Sequence, residues 1–420
     1  MNQLLSNLEF GDPSRLRTVE PHWFDLYRDL HAHPELSGNE TRTAALVAEE
    51  LRRIGGWDVT IGVGGTGVVG VLQGSSGPVI LLRADMDALP VAEDTGLSYA
   101  SKTDGVMHAC GHDVHVTALL ATCAALSADP TSITGTVVAV FQPAEETGSG
   151  ARAMVDDGIF DRFPRPDLCL GQHVGPTPAG MLVSKPDILM AASDTIQVVF
   201  HGRGGHASSP YACIDPLLMA ASFALRIQSL VAHEAATPTA PVLTVGALHA
   251  GTAANIIADD AELLLSLRTF SASSREHMLE SVGRIARAEA DGAGATEAPD
   301  VHAYNGFPAT VNTPDATSTV MSDLRRAGLG MHTLPQPLSG SEDFGVFGTA
   351  AQCPSVFWHF GGTALRSFDE RALAALAEGR IPPGTPSNHS PRFAPDPAAA
   401  LPEGVTAMTA AALGALARSA

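Results

Sequence analysis

His108, Cys110, His112 and His115 crowd into the stretch MHACGHDVHV. Thiolate and imidazole are good donors to zinc and other late first-row divalent ions, so the stretch reads first as metal-binding. A cysteine nucleophile paired with histidine is chemically possible. A redox pair needs a second thiol, and Cys123 lies more than ~3 helical turns further on. Gly111 between Cys110 and His112 makes this segment a loop. His115 is expected in the first turn of a following helix, as a polar surface residue, and His108 as a structural one.

Further donors stand at distant points. Asp85 and Asp87 end PVILLRADMD, Glu145 and Glu146 follow TVVAVFQP, His173 follows DLCLGQ, and His389 lies in NHSPRF. The first three runs are short, apolar and rich in Val, Ile and Leu, which fits buried parallel strands. Between the first two sits DVHVTALLATCAAL, helical in its apolar spacing, with Asp113 as candidate N-cap. Strand, helix, strand implies a three-layer α/β domain with a mostly parallel sheet. Ligand sites in such sheets lie beyond the carboxyl ends of the strands, and all three runs place carboxylates or imidazole there. Glu145 and Glu146 are adjacent and diverge in extended chain, so one can bind metal while its neighbour handles water. With Cys110, His112, His173 and His389 they form a mixed S, N, O donor set, enough for two ions ~3.5–4 Å apart that clamp a hydrolytic transition state.

The middle of the chain has another rhythm. Strand-like DTIQVVFHG, helical DPLLMAASFALRIQSLV, strand-like PVLTVGALHA and AELLLSLRTF, helical SSREHMLESVGRIARAEADG and strand-like TEAPDVHAY follow one another. That β-α-β-β-α-β order is the ferredoxin-like split unit. It predicts an inserted α+β domain over 186–303, with 1–185 and 304–420 forming one catalytic domain around it.

The 420 residues carry 25 Lys and Arg against 45 Asp and Glu, a formal charge of −20, with basic residues scattered. This argues against nucleic acid or an anionic membrane as partner. The start, MNQLLSNLEFGDPSRLRT, lacks the basic and apolar regions of a secretory signal, and no run approaches the ~18 apolar residues of a membrane span. Five widely spread cysteines, an odd number, suit a reducing cytoplasm rather than a disulfide framework.

Taken in order, RADMDALP, MHACGHD, QPAEETGSGARAMV, QHV, HGRGGHASSP, GTAANII, SGSEDF and NHSPRF span nearly the whole chain. This ordered set resembles the di-metal aminoacylase/carboxypeptidase metallopeptidase family, in its amidohydrolase branch of hippurate hydrolases, N-acyl-amino-acid amidohydrolases and indole-acetyl-amino-acid hydrolases. The resemblance implies hydrolysis of the amide bond of N-acyl or N-aroyl amino acids, with a dipeptidase or carboxypeptidase on the same site as the alternative. It implies Cys110, His112, Glu146, His173 and His389 as ligands of two divalent ions, Cys110 bridging. Zinc is the first choice, and manganese, nickel or cobalt also suit. Glu145 becomes the general base that activates the attacking water and passes its proton to the leaving amine. Asp87 becomes a group that orients a ligand, and the role of Asp85 stays open. In the insert, the resemblance implies a homodimer interface, His206 reaching across it to the developing oxyanion, Asn255 holding substrate, and Arg268 pairing with the substrate carboxylate. Gln172, Tyr211 and Ala258 depart from the family's usual residues, which bears on fine specificity and not on the donor set.

Overall fold

Pro143 stops one of the strands that carry the site, because a residue without an N–H cannot extend a sheet ladder. That strand is Thr134–Gln142, and its parallel neighbour is Ser75–Asp85. On its other side Ser75–Asp85 pairs, again parallel, with Leu168–Pro178. The structure, a computed structural model, describes residues 10–128, 133–234, 239–377, 380, 382 and 384–418. The first nine residues of the N-terminal segment discussed above lie outside the described residues.

These three strands belong to an eight-stranded mixed sheet. Its order is Trp57–Val63, Gly67–Gln73, Thr134–Gln142, Ser75–Asp85, Leu168–Pro178, Ser355–Thr363, Met181–Ser184, Gly330–Thr333. Leu168–Pro178 and Ser355–Thr363 run parallel and set His173 in register with His359. The central strands are buried on both faces, as parallel strands covered by helices must be. The helix His112–Ser127 is buried along nearly its whole length and packs against Pro397–Ala417. Leu119, Leu120, Phe141, Trp358 and Met408 are among the core side chains.

Pro397–Ala417 corrects one expectation from sequence. It is long and apolar enough to cross a membrane, the only such helix among the described residues, yet 72% of its apolar window is buried inside the fold. A helix apolar all round is one that packs on all sides, and here the core supplies the packing.

Gly111 precedes the helix His112–Ser127 at φ 87°, and a Cβ there would stand 2.4 Å from Val174 Cγ1. Both the left-handed backbone and the close approach require glycine. Asp113, expected as N-cap, instead lies inside the first turn. Its carboxylate binds His31 Nδ1 at 2.7 Å.

The chain divides into two compact units, Met1–Leu189 with Val311–Pro335 and Asp343–Ala420, and Met190–Thr310 with Gln336–Glu342. The second contains an antiparallel sheet ordered Val242–Ala250, Asp260–Thr269, Ala192–His201, Asp300–Phe307, together with helices Pro216–Glu234 and Ala272–Ala293. This is the ferredoxin-like arrangement read from the order of elements. Along Asp260–Thr269, Ala261, Leu263, Leu265 and Leu267 alternate inward and meet Phe200, Phe223 and Val282 in a separate core. Ser271 caps the helix Ala272–Ala293 through Ser274 N, and Gly294 in the left-handed region ends it.

Candidate active site

His112 and His115 share the first turn of one helix, three residues apart, and therefore one face of it. Their surroundings divide their roles. His112 Nδ1 donates to Asp87 Oδ1 at 3.2 Å, while its Nε2 is buried without a hydrogen-bond partner. Glu146 Oε1 is likewise buried and without one, and it faces His112 Nε2 across 3.8 Å. Two unsatisfied polar atoms buried face to face are costly unless something lies between them. These are donor types that a divalent ion would take, and the 3.8 Å gap leaves them facing each other for one. The residues present therefore fit a metal.

Other donors complete the cluster. Glu146 Oε2 is 3.4 Å from His389 Nε2, and the donor atoms of Cys110, Glu146 and His389 lie within 4.8 Å of one another. Cys110 Sγ is also 3.4 Å from His173 Nε2, so the thiol touches donors on two sides. His173 donates from Nδ1 to the Val174 carbonyl at 2.8 Å, which fixes the tautomer with Nε2 open. Glu145 is buried, its Oε2 4.0 Å from His112 Nε2. The loop bearing His389 is pinned where it must be: His389 N donates to Ala109 O at 2.7 Å, and Asn388 Nδ2 donates to Cys110 O at 3.0 Å and Val174 O at 3.1 Å.

Electrostatics disagree with a free cysteine nucleophile. Burial, with Glu146, Glu145 and Asp85 nearby, pushes the Cys110 thiol well above its ordinary value. A nucleophilic cysteine needs the opposite surroundings. Burial, with His115 beside it, pushes His173 well below its ordinary value and keeps it in the neutral form that binds metal. For His112 burial opposes charge, but Asp85 and Asp87 outweigh it and hold the imidazole up to about 10. A cation bound there displaces that proton.

His115 is the clearest correction. Expected at the surface, it is buried, with Nδ1 on Asp85 Oδ1 and Nε2 accepting from Val174 N at 2.8 Å. Both nitrogens are occupied, so His115 braces the backbone beside His173. Asp85 meets a further residue that sequence reading passed over. Arg83, fully buried, donates to Asp85 Oδ2 at 2.7 Å, to Gln142 Oε1 at 2.8 Å and to Asp343 Oδ1 at 3.2 Å. Its signal was available in LLRADMD, since a guanidinium inside a buried strand demands carboxylate partners.

In the second unit, the short strands Gly205–His206 and Ile256–Ile257 pair, and Ala207 N donates to Asn255 O at 3.0 Å, placing His206 and Asn255 side by side. His206 is exposed, and its Nδ1 accepts from Ser208 N at 3.1 Å. That bond puts the ring proton on Nε2, leaving an outward donor. Arg268 sits half-buried on Asp260–Thr269 and donates to Ser341 Oγ at 2.6 Å.

A sequence profile of peptidase family M20/M25/M40 matches residues 81–378. The chain belongs to this family. Among M20 relatives it is 37% identical to a hippurate hydrolase of Campylobacter jejuni over 337 residues, 78% of this chain and 85% of that one. It is 36% identical to thermostable carboxypeptidase 1 of Saccharolobus solfataricus over 352 residues, 82% of this chain and 87% of that one. A dinuclear metal-binding M20 peptidase from Bacillus subtilis superimposes with a TM-score of 0.76 at 29% identity, covering 94% of this chain and 98% of that one. The M20 chain is thus an enzyme acting on amide bonds. Its donor cluster and its dinuclear neighbour together support two divalent metals.

Proposed function

We propose that this M20 enzyme hydrolyses N-acyl or N-aroyl amino acids to a carboxylic acid and a free amino acid. The observation that carries the reading is the Glu145–Glu146 pair, where Glu146 faces the open His112 nitrogen at 3.8 Å and Glu145 stands beside it at 4.0 Å. One carboxylate is placed to bind and its neighbour to move a proton.

Two divalent ions, zinc first, held by Cys110, His112, Glu146, His173 and His389, would supply Lewis acidity and an acidified water. Glu145 removes the proton from the attacking water and returns it to the leaving nitrogen. Asp87 fixes His112 through Nδ1. His206 would reach across the homodimer interface to offer its Nε2 proton to the oxyanion, with Asn255 holding the substrate from the same side and Arg268 engaging the substrate carboxylate through its planar guanidinium.

Similarity to the hippurate hydrolase favours the acyl-amino-acid reading, and similarity to the thermostable carboxypeptidase keeps a carboxypeptidase as the second reading. Homodimerisation through the insert draws support from its exposed apolar side chains, Tyr211, Leu218, Leu225, Val242 and Leu248. A cytoplasmic location draws support from five free thiols. The deciding experiment strips the protein of metal, reloads it with defined divalent ions, and scores amine release from N-acetyl and N-benzoyl amino acids against free dipeptides. Faster turnover of dipeptides by every metal form would overturn the acyl-amino-acid reading.

A further inference from the structure

Ala144, directly before the Glu145–Glu146 pair, has φ 49°, a left-handed conformation that alanine adopts only when its surroundings enforce it. The enforcement is visible. The Glu40 carboxylate, fully buried, accepts the Ala144 backbone N–H on Oε1 at 2.8 Å. The same oxygen accepts Gly38 N at 2.8 Å, and Thr66 Oγ1 donates to the other oxygen. Glu40 is therefore anchored from its own loop and from a turn between two strands, and it grips the chain one residue before the catalytic carboxylates. On the far side, Asp87 Oδ2 accepts Glu146 N at 2.9 Å, and Asp343 Oδ2 accepts Ala151 N at 3.1 Å. Nothing about the metal chemistry requires a carboxylate at position 40, some hundred residues earlier in the chain.

We propose that Glu40 is a positioning residue for the Glu145–Glu146 pair. By holding Ala144 left-handed, it bends the chain after Pro143 so that Glu146 meets the metal donors while Glu145 stays beside them. Without that grip, Ala144 relaxes to negative φ and both carboxylates swing from their places.

The test compares Glu40→Ala, Ala144→Gly and the double variant, reading zinc affinity of the metal-stripped protein by chelator competition, and kcat and KM on N-benzoylglycine. Glycine takes positive φ without strain, so it should supply locally what Glu40 imposes. Glu40→Ala is expected to weaken zinc binding about 10-fold and to lower kcat about 10- to 100-fold, with KM changed by less than about threefold. Ala144→Gly alone should change each by less than about twofold, and in the Glu40→Ala background it should recover most of the loss. Unchanged zinc affinity in Glu40→Ala, or a deficit that Ala144→Gly fails to restore, overturns the proposal. If Glu40→Ala does not fold, Glu40→Gln and Glu40→Asp are compared. The first keeps the acceptor and should stay within about threefold of wild type, and the second withdraws it by one methylene and should lose affinity; equal behaviour of the two overturns the proposal. The kcat readings rest on the hydrolytic function proposed above, whereas the zinc readings do not. Absence of turnover in every protein, wild type included, would refute that function and leave the positioning role to be judged on zinc alone.

Discussion

His31 and His112 are both buried imidazoles joined through Nδ1 to an aspartate, His31 to Asp113 at 2.7 Å and His112 to Asp87 at 3.2 Å. The two pairs meet at one helix start, where His112 and Asp113 are neighbours. They differ in the second nitrogen. His31 Nε2 meets Glu93 Oε1 at 3.3 Å, which closes the cluster into a salt-bridged knot. His112 Nε2 meets no partner and faces an equally open Glu146 oxygen. Burial opposes charge on His31, but Asp113 and Glu93 outweigh it and hold the imidazole up to about 9. A histidine among carboxylates is thus placed as a structural cation when both nitrogens are taken, and is available to a metal when one nitrogen is left facing carboxylate oxygens.

Four experiments probe that distinction. The largest effect is expected at Glu145, beside the open pair but assigned to proton transfer. Glu145→Gln should lower kcat about 10³-fold while metal content, measured by mass spectrometry, stays at the wild-type value. Loss of metal would instead make Glu145 a ligand. His206 is exposed, with Nδ1 taken by Ser208, and the proposed function assigns it as a donor to the oxyanion. His206→Ala should cost about 10²-fold in kcat with metal content unchanged. Removing the clamp on the open pair is expected to do less. Asp87→Ala should weaken zinc binding about 10-fold, read by chelator competition, because His112 loses its fixed tautomer and orientation.

The closed knot should behave in the opposite way. His31→Gln should leave metal stoichiometry untouched and cost stability, about 3–5 kcal/mol at pH 6, because Asp113 and Glu93 lose their buried cation. The sign with pH follows from the raised pKa. Protonation of folded His31 stabilises fully below its ordinary 6.5, and that contribution disappears as pH rises through about 9. Denaturant unfolding should therefore show the gap between wild type and variant narrowing from pH 6.5 to 9. A gap constant with pH would mean that His31 is neutral in the fold.

Much of the candidate site was legible before the fold was known. The apolar runs before Asp85, Glu145 and His173 identify buried strands, and strand ends are where side chains of different runs converge. The ferredoxin-like insert followed from the order of its elements alone. Other features were hidden for definite reasons. Asp113 has the residue type of a cap, but a histidine 82 residues away in sequence outbids the helix end for its carboxylate. Pro397–Ala417 has a membrane helix's composition because the core surrounds it. Glu40 gave no signal, since its target is a backbone N–H, which every residue but proline presents.

The sequence by itself determined which donor types the chain possesses, that they cluster at the ends of buried strands, and that two adjacent glutamates are available to divide binding from proton transfer. It named His112 as the donor and placed His115 at the surface, although the two share a helix face three residues apart and both are buried. Tertiary structure gave the two imidazoles their different surroundings, by bringing the Val174 N–H to His115 Nε2 and carboxylate oxygens of Asp85, Glu145 and Glu146 to His112 Nε2. A nitrogen already accepting a hydrogen bond has no lone pair left for a metal, and that fact depends on a strand 59 residues away in the chain.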